Sequence, residues 1–271
     1  MTTSSKNNVY DFWNKQSCGE DLYLQNNDIE GYLEQAKERY KLEPFILSFV
    51  NFESTRGKCV LEIGVGLGAD HCQFAHAGAN LYGIDLTDRA VNHTKRRFEL
   101  LGLKSNLSVG GAEHLDFNNN TFDIVYSWGV LHHSPNTPKA ISEVLRVLKP
   151  GGTAYIMIYN KWSIVGLMLW LRYGLLVCKP FMSLKTLYDQ YLESPGTKAY
   201  SVSEASILFK EFENVNISMK LGHGDLLDSS AGQRHRGFFL NVAKKIWPRW
   251  FIKRFLPNAG LFMLVEAKKK I

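Results

Sequence analysis

The chain has 271 residues, of which 45% are hydrophobic and 21% charged, a balance that suits one globular unit with room for an inserted cap and excludes a disordered or fibrous protein. Its formal net charge is +6. No apolar run follows the single early lysine, so we expect no secretory leader. Cys18, Cys59, Cys72 and Cys178 form no C-x-x-C pair, which argues against a zinc site and a disulfide framework and suits a reducing cytoplasm.

Residues 1–8 are polar and without period, and we expect them to be disordered. Residues 9–24 are rich in aromatics, among them Tyr10, Phe12 and Trp13. A helical period over 28–40 and a short helix from Pro44 to Phe52 follow, so 1–57 reads as a helical, aromatic lid. From Lys58 the pattern alternates. Strands are expected at 58–63, 79–85, 105–110, 122–128 and 152–159, with helices at 69–77, 87–101 and 137–148. That alternation predicts an α/β, Rossmann-like, doubly wound sheet over 58–159, mostly parallel, with ligands at the carboxyl ends of its strands. Residues 160–205 break the pattern. The apolar run 162–182 approaches the length of a membrane span, but Arg172 interrupts it and Gly166 and Gly174 loosen it, so it reads as a helical cap. Ser203 is the expected N-cap of a helix over 203–212. Strands at 216–221 and 261–266 should return to the sheet edge as an antiparallel pair within 206–271.

The chemistry starts at residues 60–70, Val-Leu-Glu-Ile-Gly-Val-Gly-Leu-Gly-Ala-Asp. A strand ends in Gly64, Gly66 and Gly68, a turn whose backbone needs unusual dihedrals and close approach to a ligand. The next strand delivers Asp85, placed to accept hydrogen bonds from ribose hydroxyls. The glycines follow G-x-G-x-G rather than the dinucleotide G-x-G-x-x-G. Glu62 also precedes them, and a carboxylate there opposes a pyrophosphate and suits a cationic ligand. These residues resemble the first motif of the class I S-adenosylmethionine-dependent methyltransferases. The resemblance implies S-adenosylmethionine as donor, held by Trp13, Glu62, Gly64, Gly66, Gly68, Asp70, Asp85, Leu86, Ala112, Glu113, Ser127 and Val130. Ala112 and Glu113 would lie beside the adenine.

The fourth strand runs into Ser127-Trp128-Gly129-Val130-Leu131-His132-His133-Ser134. It lacks the Pro-Pro-aromatic loop of enzymes that methylate the amino groups of nucleic-acid bases, so nucleic acid is not the expected acceptor. A histidine titrates near neutrality and can take a hydroxyl proton as the oxygen attacks a methyl carbon. In sugar O-methyltransferases of this family a histidine of a similar pair is that base, which makes His132 and His133 catalytic candidates, with His223 as a third. No metal is required. The Phe12-Trp13-Asn14 segment, the tandem histidines and Tyr159 to Ser163 resemble a bacterial subgroup similar to quinone-pathway methyltransferases. In many class I enzymes the N-terminal segment folds over the donor, and Tyr10, Phe12 and Trp13 are the expected lid here.

The expected acceptor is a small, apolar, hydroxyl-bearing metabolite of the secondary-metabolite kind, methylated on oxygen. A sugar or other polar metabolite is the nearest alternative, and a donor-binding protein without turnover is another. The apolar run 162–182 and the basic-aromatic stretch 244–255 are the expected contacts if the protein sits at the periphery of a membrane.

Overall fold

The computed structural model describes residues 2–228 and 244–271. Its centre is a seven-stranded sheet: β1 (Cys59–Ile63), β2 (Asn80–Asp85), β3 (Asn106–Val109), β4 (Phe122–Trp128), β5 (Leu148–Tyr159), β6 (Glu213–Lys220) and β7 (Phe262–Lys268). The spatial order is β3-β2-β1-β4-β5-β7-β6. The first five strands are parallel, and β7 runs antiparallel to both β5 and β6. The sheet is therefore Rossmann-like and doubly wound, with the antiparallel edge that the late strands predict. Its order reverses between β1 and β4, where such sheets leave a crevice beyond their carboxyl ends.

The central strands are buried on both faces, so they read as near-continuous apolar runs. Val60, Leu61, Ile63, Val125 and Tyr126 are almost wholly excluded from solvent. On one side the sheet packs against α5 (Ala69–Ala77), α6 (Asp88–Leu101) and the N-terminal helices. On the other it meets α7 (Thr137–Val147), whose Ala140, Ile141, Val144 and Val147 are buried at helical spacing.

The N-terminal segment forms α1 (Thr2–Lys15), α2 (Glu20–Tyr23), α3 (Ile29–Leu42) and α4 (Ile46–Phe49). The expectation of disorder over 1–8 is corrected from Thr2 onward, and Met1 lies outside the described residues. Propensity alone does not hold that helix. It docks on α6, and the Tyr10 hydroxyl donates to Asp88 at 3.1 Å. The expected cap contains α8 (Ile164–Tyr173) and α9 (Leu184–Tyr191), packed on each other. Helix α10 (Val202–Leu208) starts earlier than expected. Its N-cap is Ser201, not Ser203, because Ser201 and Glu204 form a reciprocal capping box. Two short helices follow, α11 (His223–Leu226) and α12 (Arg249–Phe255). No helix among the described residues is long and apolar enough to cross a membrane.

One polar clamp fixes the stretch after β3. Glu143 on α7 accepts the Leu115 N–H at 2.9 Å, and Arg146 donates to the carbonyls of Leu115 and Phe117, both at 2.7 Å. Arg146 also hydrogen-bonds Glu143, and this holds the Glu143 carboxyl down at about 2 against an ordinary 4.5. A folded-state value below the unfolded one means that the contribution is full above the ordinary range and is lost as pH falls from about 4.5 toward about 2. Glu143→Gln should lower the urea midpoint at neutral pH. The gap between variant and parent should close as acid protonates Glu143, and an unchanged gap across that window would show that the clamp does not contribute in this way.

Candidate active site

A cavity of about 780 Å³ opens at the carboxyl ends of β1, β2 and β4, roofed by α1 and α8. The Gly-rich turn forms its floor. Gly64, Gly66 and Gly68 all have positive φ, at 87°, 53° and 77°. They serve different ends. A Cβ on Gly64 would lie 2.1 Å from Val130 Cγ2, and one on Gly68 would lie 2.9 Å from the Thr94 hydroxyl. A Cβ on Gly66 would meet no protein atom within 4 Å, so this residue faces the open space where a ligand lies against the backbone.

Asp85 ends β2 with its carboxylate turned to the turn. Oδ2 accepts the Gly66 N–H at 3.2 Å, and Oδ1 accepts the Thr87 N–H and hydroxyl, both at 3.0 Å. Burial pushes its pKa up while these donors pull it down. Glu113 lines the cavity with Leu86 and Ala112. Its Oε1 accepts the Ser134 hydroxyl and the Asn136 N–H, both at 2.6 Å, so it also ties the stretch after β3 to the loop after β4.

Glu62 differs from the simple picture of a carboxylate awaiting a cation. Its Oε2 lies 2.8 Å from His71 Nδ1. The Ser105 hydroxyl donates to the Leu81 carbonyl, so it accepts from His71 Nε2–H, and Nδ1 is left as the acceptor. Burial pushes Glu62 well above its ordinary value and holds His71 down at about 3. The proton therefore sits on the Glu62 carboxyl, which donates to a neutral His71. Asp70 is ionised. Burial raises it, but Arg39 and the hydroxyls of Tyr40 and Tyr126 outweigh that and hold it below the carboxylate range. Asp70 borders the cavity, yet its oxygens are engaged by protein donors. Ser127 is not brought to the site: it is fully buried, outside the cavity lining, and donates to the Ile63 carbonyl at 3.0 Å.

The histidines separate. His132 is wholly buried, 4.0 Å from the Tyr159 ring and 4.2 Å from the His133 ring between centroids. Neither of its ring nitrogens has a hydrogen-bond partner among the described residues, and burial keeps it neutral. It does not line the cavity. His133 does. His133 Nδ1 lies 2.9 Å from the Ser194 hydroxyl and 3.1 Å from the Thr197 hydroxyl, which itself donates to the Ser194 carbonyl at 2.6 Å. His133 Nε2 stands 3.3 Å from Glu193 Oε2. The Tyr159 hydroxyl donates to the same oxygen at 2.9 Å. Burial pushes Glu193 up, but His133 and Tyr159 outweigh that and hold it below its ordinary value. His223, on α11, lines the cavity from the far side.

Glu193, Arg39 and Glu43 carried no sequence signal. Glu193 stands only beside the Ser-Pro-Gly turn, and the other two lie on an amphipathic helix and just beyond it. Of the three N-terminal aromatics, only Trp13 lines the cavity. Its ring meets His133 edge-on at 5.5 Å. Tyr10 instead donates to the Asp88 carboxylate in the first turn of α6.

Residues 61–156 match the methyltransferase domain family. A sterol 24-C-methyltransferase of Pneumocystis carinii is 36% identical over 99 residues, 35% of this chain and 26% of that protein. A ubiquinone biosynthesis O-methyltransferase of Hydrogenovibrio crunogenus is 27% identical over 126 residues, 45% of this chain and 52% of that protein. The chain thus spans about a quarter of the first of these relatives and about half of the second. The solved structure of Haemonchus contortus phosphoethanolamine N-methyltransferase 2, in complex with phosphomonomethylethanolamine and S-adenosylhomocysteine, superposes with a TM-score of 0.61 at 17% identity. The match covers 97% of this chain and 60% of that one, a likeness of fold. Residues 61–156 thus match a methyltransferase domain, set in the fold of the class I S-adenosylmethionine-dependent methyltransferases. S-adenosylmethionine is the donor, and the open face at Gly66 and the carboxylate of Asp85 fit its adenosine.

Asp85→Ala should weaken S-adenosylhomocysteine binding by roughly 1–3 kcal/mol in a calorimetric titration, the scale of a buried charged hydrogen bond lost. Near-normal binding would place the ribose elsewhere.

Proposed function

We propose that this protein methylates a hydroxyl group of a small, largely apolar metabolite. One observation carries the reading. The Gly-rich turn and the Glu193–His133–Tyr159 cluster line the same cavity, and apolar side chains of the cap, among them Val165, Met168, Leu169 and Leu176, form part of its wall. The sterol and quinone relatives act on apolar molecules by name, which supports the same direction.

The donor supplies a methyl group already activated on a sulfonium. The protein's share is to hold two reactants in line and to take one proton. Val130 and Gly64 set the floor on the donor side, and Trp13 closes the roof. A hydroxyl entering from the cap side meets Glu193, whose side chain is 29% exposed, before it meets the nearly buried His133. As the oxygen attacks the methyl carbon, its proton passes to the Glu193 carboxylate. His133 Nε2 stands behind the carboxylate at 3.3 Å, and the Ser194 and Thr197 hydroxyls hold its other ring nitrogen in place. Tyr159 orients the carboxylate. On this reading His133 acts through Glu193, and His132 packs the pair against Tyr159.

A cationic amine is the second reading. Glu43 and Glu193 both border the cavity among the rings of Trp128 and Tyr159, and such rings attract cations.

Glu193→Gln should lower kcat by about 10²–10⁴-fold, the usual contribution of a general base, with donor binding unchanged. Unaltered kcat would remove Glu193 from the proton path. To identify the acceptor, methyl-labelled S-adenosylmethionine is incubated with the protein and an extract of the cells it comes from. Label entering an organic solvent at both acid and alkaline pH is the expected result. Label extracted only from alkali marks an amine, and label that stays in water marks a sugar-like acceptor; either overturns the apolar hydroxyl.

A further inference from the structure

The cavity mouth is set between two exposed segments that carry aromatic and aliphatic side chains together with basic ones. The first is the outer face of α8 and the turn after it. Trp162, Leu167, Leu176 and Phe181 are 66%, 54%, 77% and 99% exposed. The second is α12 with the residues before it, where Ile246 and Trp250 are 77% and 74% exposed and Phe255 is 57% exposed. Large apolar side chains standing this far out cost hydration free energy unless something covers them.

The two segments are joined. Ile252 of α12 is buried against Ile164 of α8 and Leu226 of α11, with Met168 and Trp247 packed around them. Both segments also reach the cavity, through Leu171, Arg172 and Leu176 from one and Lys244 and Trp247 from the other. They form one collar around the opening.

Its charge has a single sign. Residues 162–182 and 244–256 contain no aspartate or glutamate, and they contribute Arg172, Lys179, Lys245, Lys253 and Arg254, all exposed. Exposed apolar rings interleaved with cations and free of acids complement one kind of surface: anionic headgroups over acyl chains, where tryptophan sits at the headgroup level and basic side chains reach phosphates. A protein partner of ordinary composition would not need the uniform sign, and a nucleic acid would not need the aliphatic side chains.

We infer that this collar docks on an anionic lipid surface, so that the cavity opens onto the bilayer and its apolar acceptor is drawn from the membrane. The statement about the acceptor rests on the reading of the cavity as a methyl-transfer site; the docking surface does not.

The test is flotation of the full chain with vesicles of phosphatidylcholine, with and without phosphatidylserine, at low and high salt. Binding should require the anionic lipid and fall with salt. The double variant Lys253→Ala, Arg254→Ala should bind roughly 30-fold more weakly, from about 1 kcal/mol per basic residue near such a surface at about 1.4 kcal/mol per tenfold. Trp250→Ala, a change at an exposed ring, should also weaken binding. The thermal shift given by S-adenosylmethionine should be intact in both variants, which shows that they fold. No binding of the parent to anionic vesicles at low salt overturns the proposal, as does undiminished binding of the double variant or capture of RNA in place of vesicles. Vesicle binding by a protein that shows no shift with S-adenosylmethionine supports the collar and overturns the donor reading alone.

Discussion

The buried Asp70 carboxylate organises the site. Ionised while buried, it must be paired, and two elements supply the partners: Arg39 and Tyr40 from α3 and Tyr126 from β4. Asp70 itself stands in the first turn of α5, just after the Gly-rich turn. One carboxylate thus locks the N-terminal helices onto the sheet at the point where its strand order reverses. Arg39 then reaches Glu43 at 3.5 Å, and Trp128 donates to Glu43 from β4 at 3.0 Å. The wall between the donor floor and the cap is continuous because these charges cannot be separated without leaving one of them buried alone.

The proton inventory follows from the same low-dielectric setting. At the donor end Glu62 keeps its proton and His71 stays neutral, since neither gains enough from ionising where both are enclosed. At the acceptor end the balance is reversed. Glu193 is held ionised by its contacts with His133 and Tyr159, and it is the group of that cluster most open to the cavity. Two glutamates in one cavity thus hold different protonation states, set by their neighbours. The Glu62–His71 pair is neutral, and Glu193 is ready to receive a proton.

The cavity and its collar connect through packing rather than through sequence proximity. Cap helix α8 gives Leu169 and Val165 to the core and Met168 to the cluster shared with α12, while its outer face remains uncovered. Arg172, which interrupts the apolar run, is exposed near the opening and lies over the Tyr173 ring. The interruption that argues against a membrane span is the same feature that gives the collar its charge.

The sheet, its crevice and the donor floor were legible in the chain because they rest on local rules. Period-two and period-3.6 patterns mark the strands and helices, and glycines at alternate positions after a strand favour a turn of left-handed backbone. Asp85 follows one strand later at the carboxyl edge. Helix α1 was missed because docking on α6 holds it, which local propensity does not show, whereas the Ser201-x-x-Glu204 box that sets the N-cap of α10 stands in the sequence and was passed over for Ser203. The tandem histidines were visible as a pair, but their difference was not. A β-strand end followed by a tight turn places one against Tyr159 and the other on the cavity wall. Glu193 and Arg39 were invisible, since an isolated charged residue carries no signal until folding brings it to a partner distant in the chain. The sequence by itself determined the donor-binding frame, because that frame is made of backbone conformations that few residues allow. Only the tertiary structure decided which carboxylates are ionised and which histidine meets the cavity, because burial and pairing between distant residues set both.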